Sequence, residues 1–161
     1  MSDLGILKNL DYNQLGDNRD VTNAQAVIKQ RYSRTINVQV AADGAANTNL
    51  AEEIIAQYPN WPGGGFVSDM RVTPAANVVA NASNYAVIKL QSRDDAGGSA
   101  LTVGLVNTAV TNMTNFIGTV ATFTNNQLTL SALSKLTLRH DKTGSGVQLP
   151  AYSLLVVVED T

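Results

Sequence analysis

The residues with the greatest capacity for chemistry lie near the carboxyl end, where the only histidine, His140, is followed by Asp141 and by Lys142-Thr143-Gly144. A hydrolytic triad would need His140 close to a serine and a carboxylate, but the chain has no Gly-x-Ser-x-Gly turn to expose a nucleophile. The Lys-Thr-Gly tripeptide also occurs in penicillin-binding enzymes, where Ser-x-x-Lys accompanies it; here that partner is only Ser131-Ala-Leu-Ser134. We therefore predict no catalytic residue, and we interpret His140 as the end of a strand beside a turn.

Metal and cofactor sites are the next candidates. A single histidine and the absence of cysteine exclude a multi-histidine cluster and a thiolate zinc site. Asp94-Asp95 lies in a glycine-rich segment but lacks the acidic spacing of an EF-hand. Gly63-Gly64-Gly65 is not followed by the Gly-Lys-Ser/Thr of a phosphate-binding loop. We predict no metal and no cofactor, and we interpret both segments as turns.

Three aromatic residues are candidates for ligand binding. Trp61 stands between two prolines, where its indole could stack on a sugar ring, anchor a partner protein or lie buried under its own loop. Tyr58 and Tyr85 are the other two aromatic side chains that would line a carbohydrate-binding cleft.

Composition excludes several classes of protein. The formal net charge is -2 and the pI is near 5.2, so the chain lacks the basic surface on which most nucleic-acid affinity depends. It contains no run of 18 apolar residues, so no membrane span is predicted. Its N-terminus lacks a basic region followed by an apolar run, so no export signal is predicted. Only 15% of the residues are charged, and abundant Thr and Asn favour strands joined by tight turns. These features indicate a mainly β protein.

Strict alternation of apolar and polar residues begins at Arg34, where Ile36, Val38 and Val40 share one face of a predicted strand. Further strands are predicted over residues 66–72, 85–92, 101–106, 118–124, 127–130, 135–140 and 152–158. About eight short antiparallel strands separated by turns predict a β-sandwich or jelly roll over residues 34–161, with a barrel as the alternative. Residues 154–158 are apolar on both faces, which predicts a central strand or one covered by a neighbouring subunit.

One short helix is predicted between the first two strands. Asn49 followed by Glu52 has the form of a capping box, and Leu50, Ile54 and Tyr58 recur at helical spacing before a proline. Glu52 and its neighbour Glu53 would then lie in the first turn, where the helix dipole favours carboxylates.

Residues 1–33 have neither a helical nor a strand period and are predicted to form an extended N-terminal arm, with a frayed terminus as the alternative. Residues 23–32 fit a short helix or extended chain equally well. An arm of this kind can add a strand to the exposed sheet edge of a partner while isolated apolar side chains fill its pockets. The candidate partner-binding residues of the arm are Leu4, Ile6, Leu7, Leu10 and Leu15.

Three segments of the chain carry a resemblance to a known family. They are Asn84-Tyr-Ala-Val-Ile-Lys-Leu-Gln-Ser-Arg-Asp-Asp-Ala-Gly-Gly98, Leu136-Thr-Leu138 and Lys142-Thr-Gly-Ser-Gly-Val-Gln-Leu-Pro-Ala151. Together with the apolar last strand, they resemble jelly-roll proteins that are encoded beside phage capsid genes and that decorate or cement the phage head. The resemblance implies a homotrimer bound to the major capsid protein on the outside of the virion, after assembly in the host cytoplasm. It also implies an arm laid over the capsid and no catalytic residue.

Two other functions remain open at the level of sequence. A carbohydrate- or receptor-binding head of a viral fibre or spike would use Tyr58, Trp61 or Tyr85 in an exposed cleft. A hydrolase would require a polar cleft around His140.

Overall fold

The computed structural model describes residues 34–43, 49–57, 65–94, 96–98, 100–124, 130 and 134–160, and this part of the chain contains nine β-strands and no helix. The strands are β1 Arg34–Val40, β2 Leu50–Gln57, β3 Gly65–Pro74, β4 Tyr85–Arg93, β5 Leu101–Asn107, β6 Thr119–Val120, β7 Thr122–Phe123, β8 Lys135–Thr143 and β9 Tyr152–Asp160. Because there is no helix among these residues, none of them forms a helix that could cross a membrane.

The strands form two antiparallel sheets, with orders β1-β9-β3-β6 and β2-β8-β4-β5-β7. Strands from the two ends of the chain pair with each other, β1 with β9 and β2 with β8, while β3 pairs with β6 and β4 with β5. This nested pairing is the strand order of a jelly roll. The predicted mainly β sandwich is confirmed, and β4 and β5 pair as consecutive strands, with one register shift between Leu90 and Gln91.

The alternation of side chains explains which face of each strand is buried. In β9, Leu154, Val156 and Val158 point into the sandwich and are fully buried, whereas Leu155 and Val157 are half-buried on the outer face. β9 lies between β1 and β3. The run that is apolar on both faces is therefore a central strand, which was one of the two predicted alternatives.

The core is one cluster of aliphatic and sulfur-containing side chains between the sheets. Its largest fully buried members are Met70, Ile88, Leu90, Met113, Leu136, Leu149 and Leu154. Burying a side chain of this size contributes about 1.5 to 3 kcal/mol, so this cluster is the main source of stability in the described part of the chain.

The predicted short helix is wrong, because residues 50–57 form β2 and pair with β8. Two register shifts interrupt this pairing, and they disturb the period-2 pattern that would have identified a strand. Leu50 and Ile54, which suggested an apolar helical face, are 37% and 64% exposed. The Asn49 side chain caps no helix; its oxygen accepts a hydrogen bond from the Lys142 backbone N–H at 2.7 Å. Tertiary pairing overrides the helix propensity of this segment.

The chain changes sheet at residues 119–123, which were predicted as part of one strand. β6 pairs with β3 in the first sheet, the side chain of Ala121 is buried, and β7 pairs with β5 in the second sheet. The predicted strand 127–130 lies outside the described residues except for Leu130, which forms an isolated bridge with Gly65. The predicted arm, including Leu4, Ile6, Leu7, Leu10 and Leu15, also lies outside them.

The two ends of the sandwich carry different connections. The end at which β1, β3, β5 and β8 finish, here called the upper end, carries the connections β1–β2, β3–β4, β5–β6 and β8–β9. The opposite, lower end carries the connections after β2 and β4 and the chain before β8. Both candidate sites described next are at the upper end.

Candidate functional site

A cluster of polar side chains lies inside the sandwich at its upper end. Asp43 comes from the β1–β2 connection, His140 and Lys142 from β8, and Tyr152 from the start of β9. His140 and Lys142 point inward because they continue the alternation of the buried residues at 136 and 138 on β8. Only 2% of the Asp43 side chain and 1% of the Lys142 side chain are exposed, so the cluster is shielded from water.

The Asp43 carboxylate is the centre of the cluster. Lys142 Nζ lies 2.7 Å from Asp43 Oδ2, and the backbone N–H of Leu149 donates to the same oxygen at 3.4 Å. The other oxygen, Oδ1, accepts no hydrogen bond, and the nearest histidine nitrogen, His140 Nδ1, stands 3.6 Å away and is also unpartnered. The second histidine nitrogen, Nε2, is hydrogen-bonded to the Tyr152 hydroxyl.

The protonation states of the two ring side chains follow from burial. Burial lowers the pKa of His140 below its ordinary 6.5, and this effect outweighs the Asp43 carboxylate, which acts in the opposite direction. Burial also raises the pKa of the Tyr152 hydroxyl above its ordinary 10.0. The imidazole and the phenol are therefore neutral near pH 7, and the cluster holds one potential cation and one potential anion.

Backbone contacts hold Asp43 and Lys142 in place. Asp43 N–H donates to the Leu149 carbonyl at 3.0 Å, and Gln148 Nε2 donates to the Asp43 carbonyl at 2.7 Å. After β8, the turn requires Gly144: its φ is +69°, and a Cβ there would lie 2.1 Å from the Ser83 carbonyl oxygen. Asp43 therefore lies on a connection held by hydrogen bonds, and Lys142 lies near the end of a strand.

The sequence interpretation of this region was partly wrong. His140 is not at a strand end; β8 continues to Thr143, and His140 is 1% exposed in the interior. Glu52 and Glu53 lie on β2, not in the first turn of a helix. Sequence reasoning missed Asp43 and Lys142. A signal existed for Lys142, since it is in phase with the buried residues of β8, but Asp43, placed between Ala42 and a glycine, looks like an ordinary turn residue.

The acidic turn after β4 has a structural role. The Asp94 carboxylate accepts a hydrogen bond from the Gly98 N–H at 2.7 Å, and the Arg93 guanidinium donates to the Gly98 carbonyl at 2.6 Å. Among the residues that the structure describes, no three His, Asp or Glu side chains are grouped to bind a metal ion. Asp95, Gly63 and Gly64 are outside those residues.

Of the three candidate aromatics, Tyr85 lies in the part of the chain that the structure describes. It is half-buried at the start of β4, opposite Thr143, at the upper end. Tyr58 and Trp61 lie outside the described residues.

A second feature of the upper end is an exposed apolar surface on the β3–β4 and β5–β6 connections. Its members, here called the apolar loop surface, are Val79, Val110, Phe116 and Ile117, with exposed fractions of 76%, 79%, 77% and 60%. The two connections are joined by a pair of backbone hydrogen bonds between Val78 and Met113, at 2.8 and 2.9 Å. The two hydrogen-bonded connections form the platform that carries these side chains.

Asparagine side chains and Phe116 complete this platform. Asn112 Oδ1 accepts from the Ala80 N–H, and Asn77 Oδ1 accepts from the Asn115 N–H, both at 2.7 Å. Phe116 has a φ of +58°, and its N–H donates to the Pro74 carbonyl at 2.9 Å. A left-handed backbone at a bulky residue costs about 1 to 3 kcal/mol, and the surrounding hydrogen bonds maintain it.

The comparisons with known proteins add no identification. A scan against protein-family models, a search of curated proteins and a search of solved structures each found no match to this chain.

Proposed function

We propose that this protein is a non-enzymatic virion protein that binds the major capsid protein on the outside of a phage head and stabilises the shell. The observation that carries the proposal is the exposed Phe116 of the apolar loop surface. A ring that is 77% exposed on a left-handed backbone gains little by folding in isolation. Such an arrangement is understandable if the ring is buried against another protein.

The chemistry of the surface favours a protein partner. Its members are aliphatic and aromatic, and the platform beneath them is rich in asparagine and threonine, with no charged residue between 108 and 124. Interface centres are likewise apolar and poor in charge, and a prearranged backbone reduces the ordering cost of binding. The resemblance to phage-head decoration proteins supports a capsid as the partner, and the jelly-roll strand order is compatible with that resemblance.

The arm and a homotrimer belong to the same proposal. Residues 1–33 would extend the contact along the shell by adding a strand to a sheet edge of the capsid protein. The apolar side chains of this arm would fill pockets beside that strand; they are Leu4, Ile6, Leu7, Leu10 and Leu15. A homotrimer would carry three copies of the contact on one assembly and would raise the apparent affinity through a high effective concentration.

The test is binding to phage heads that are assembled from the candidate major capsid protein without this protein. Phe116→Asn removes the ring while leaving a residue that tolerates a left-handed backbone, so the variant should fold at least as well as the wild type. We expect a loss of more than tenfold in affinity, measured by co-pelleting, since a central aromatic contact contributes 2 kcal/mol or more.

Ile54→Ala is the matched control, because Ile54 is an exposed aliphatic residue on β2, remote from the upper-end connections. It should bind as the wild type does. Deletion of residues 1–33 separately measures the contribution of the arm, and light scattering measures the oligomer. Wild-type binding by Phe116→Asn would contradict the proposed contact, and failure of the wild type to bind such heads would overturn the function itself.

A further inference from the structure

We propose that Lys142 and Asp43 react with each other to form an intramolecular amide cross-link between β8 and the β1–β2 connection. The proposal is independent of the capsid-binding function, because it concerns the interior of the sandwich. It rests on the burial of both groups, on their contact, and on two unpartnered polar atoms beside them, Asp43 Oδ1 and His140 Nδ1.

The geometry brings the reacting atoms together. Nζ is 2.7 Å from Oδ2, so it lies within about 4 Å of the carboxyl carbon to which that oxygen is bonded. Reactions between groups held at this separation gain large effective molarities, because no translational or rotational freedom remains to be lost. The backbone hydrogen bonds around Asp43 and the turn at Gly144 hold both side chains in this arrangement.

Formation of an amide requires the amine and the carboxylic acid. The Lys142 ammonium and the Asp43 carboxylate are in contact, so transfer of one proton between them supplies both forms without an external base. The neutral amine is a nucleophile, whereas the ammonium is not. Burial of the pair also keeps external nucleophiles away from the carboxyl carbon of Asp43.

The reaction balances without an added reagent. After the proton transfer, Nζ attacks Cγ of Asp43, a C–N bond forms, and negative charge develops on Oδ1. A second proton passes from the nitrogen to the Oδ2 hydroxyl, the C–Oδ2 bond breaks, and one water leaves. One ammonium and one carboxylate have then become one amide and one water, with no oxidant or reductant and no change in total charge.

His140 is placed to assist the step that builds charge on Oδ1. Its Nδ1 has no other partner and is 3.6 Å from that oxygen, while the Tyr152 hydroxyl can donate to Nε2 and leave the ring proton on Nδ1. A neutral imidazole N–H facing Oδ1 would stabilise the tetrahedral intermediate as an oxyanion-hole donor does. This role accounts for a buried histidine whose Nδ1 lacks a hydrogen bond.

The cross-link is tested by mass. The purified full-length wild type should weigh about 18 Da less than its sequence, the mass of one water. Trypsin should then release residues 35–71 covalently joined to residues 140–161, because the modified Lys142 is not cleaved, and tandem mass spectrometry should locate the bond at Asp43 and Lys142. An unmodified mass with a free 143–161 peptide would overturn the proposal.

Two variants separate this reaction from another loss of water. Asp43 precedes Gly44, and an Asp-Gly pair can also lose water by forming a succinimide with its own backbone. Lys142→Arg keeps the positive charge but removes the amine nucleophile, so it should restore the full mass. Persistence of the mass loss in Lys142→Arg, or reaction of the dehydrated wild type with hydroxylamine, which opens a succinimide but not a lysine amide, would assign the loss to a succinimide and contradict the cross-link.

The matched control is Lys89→Arg, which alters a lysine–aspartate pair of similar length on the outer face and should retain the loss of about 18 Da. His140→Ala should leave a larger unlinked fraction in the folded protein than the wild type has. A folded His140→Ala protein that is linked as completely as the wild type would overturn the role given to His140.

Discussion

The interior of the sandwich and the outer face of the β2-β8-β4 sheet each hold an ion pair, and the two pairs are built differently. On the outer face, Arg93 donates to both oxygens of Glu52, from Nε at 2.6 Å and from Nη2 at 2.5 Å, and Thr137 donates to one of them. In the interior, Lys142 contacts one oxygen of Asp43, and the other oxygen has no hydrogen bond. The partly exposed outer pair has more of its hydrogen-bonding capacity satisfied than the buried inner pair.

This difference indicates how each pair contributes to the stability of the fold. A satisfied, partly solvated pair stabilises the fold: the bidentate hydrogen bonds from Arg93 lower the pKa of Glu52 from 4.5 to about 2. A dry pair with an unpartnered oxygen bears a desolvation cost that its Coulomb attraction only partly offsets. We therefore infer that the outer pair, Glu52–Arg93, stabilises the fold. The inner pair, Asp43–Lys142, serves a chemical reaction or fixes the conformation of the connections at the upper end.

The largest expected effect is that of breaking the inner pair. Asp43→Ala leaves the Lys142 side chain charged and buried without its carboxylate and removes any cross-link, so we expect a loss of about 3 to 5 kcal/mol in the free energy of unfolding by urea titration. Asp43→Leu combined with Lys142→Met removes both charges and should recover part of that loss. If Asp43→Ala lowers the free energy of unfolding by less than Glu52→Gln does, the expectation that the inner pair is the more costly one to break is wrong.

Breaking the outer pair should have a smaller effect with a defined pH dependence. Glu52→Gln retains the shape but loses the charge, and we expect a loss of about 1 to 2 kcal/mol at pH 7. The pKa of Glu52 is lower in the folded protein than its ordinary value, so the stabilisation is complete above pH 4.5 and disappears as the pH falls towards 2. The wild-type and variant unfolding curves should converge over that interval; parallel curves would exclude Glu52 as the titrating group.

The sequence predicted the fold better than the site, for physical reasons. Alternation of apolar and polar residues identified β1, β4, β5, β8 and β9, and burial alternates along β9 and along part of each of the other four. It failed at β2, where two bulges disturb the period and Leu, Ala, Glu and Gln have high helix propensity. It also ended β8 at His140 instead of Thr143, because the residues from Lys142 onwards were assigned to the connection before the last strand.

Neither candidate site is readable from local sequence. Asp43 and Lys142 are 99 positions apart in the chain, and only the pairing of β1 with β9 and β2 with β8 brings their segments to the same end. The apolar loop surface likewise depends on hydrogen bonds between connections about 35 residues apart. The exposure of Phe116 cannot be derived from its type, because an isolated phenylalanine near a turn is normally expected to be buried.

The smallest expected effect on stability is that of breaking a third ion pair, between Lys89 and Asp141. It is a lysine–aspartate pair like the inner one, but it lies on the outer face of the sheet. Lys89 Nζ is 2.5 Å from Asp141 Oδ2, and their side chains are 28% and 25% exposed. Burial acts to raise the pKa of Asp141, but hydrogen bonds from Lys89 and Arg139 outweigh it and lower the pKa. Lys89→Met leaves Asp141 with the Arg139 contact at 2.6 Å and with solvent.

We therefore expect Lys89→Met to cost less than about 1 kcal/mol in urea unfolding, and less still in 1 M salt, where exposed charges are screened. Arg139→Met is the matched control, because it removes the other cation from the same carboxylate and should have a similarly small effect. Together with Asp43→Ala, these variants test whether the burial of an ion pair or the types of its residues determine how much free energy of unfolding is lost when it is broken. If Lys89→Met costs as much as Asp43→Ala, a lysine–aspartate contact is equally costly to break in either environment, and the distinction between the inner and the outer pairs is lost.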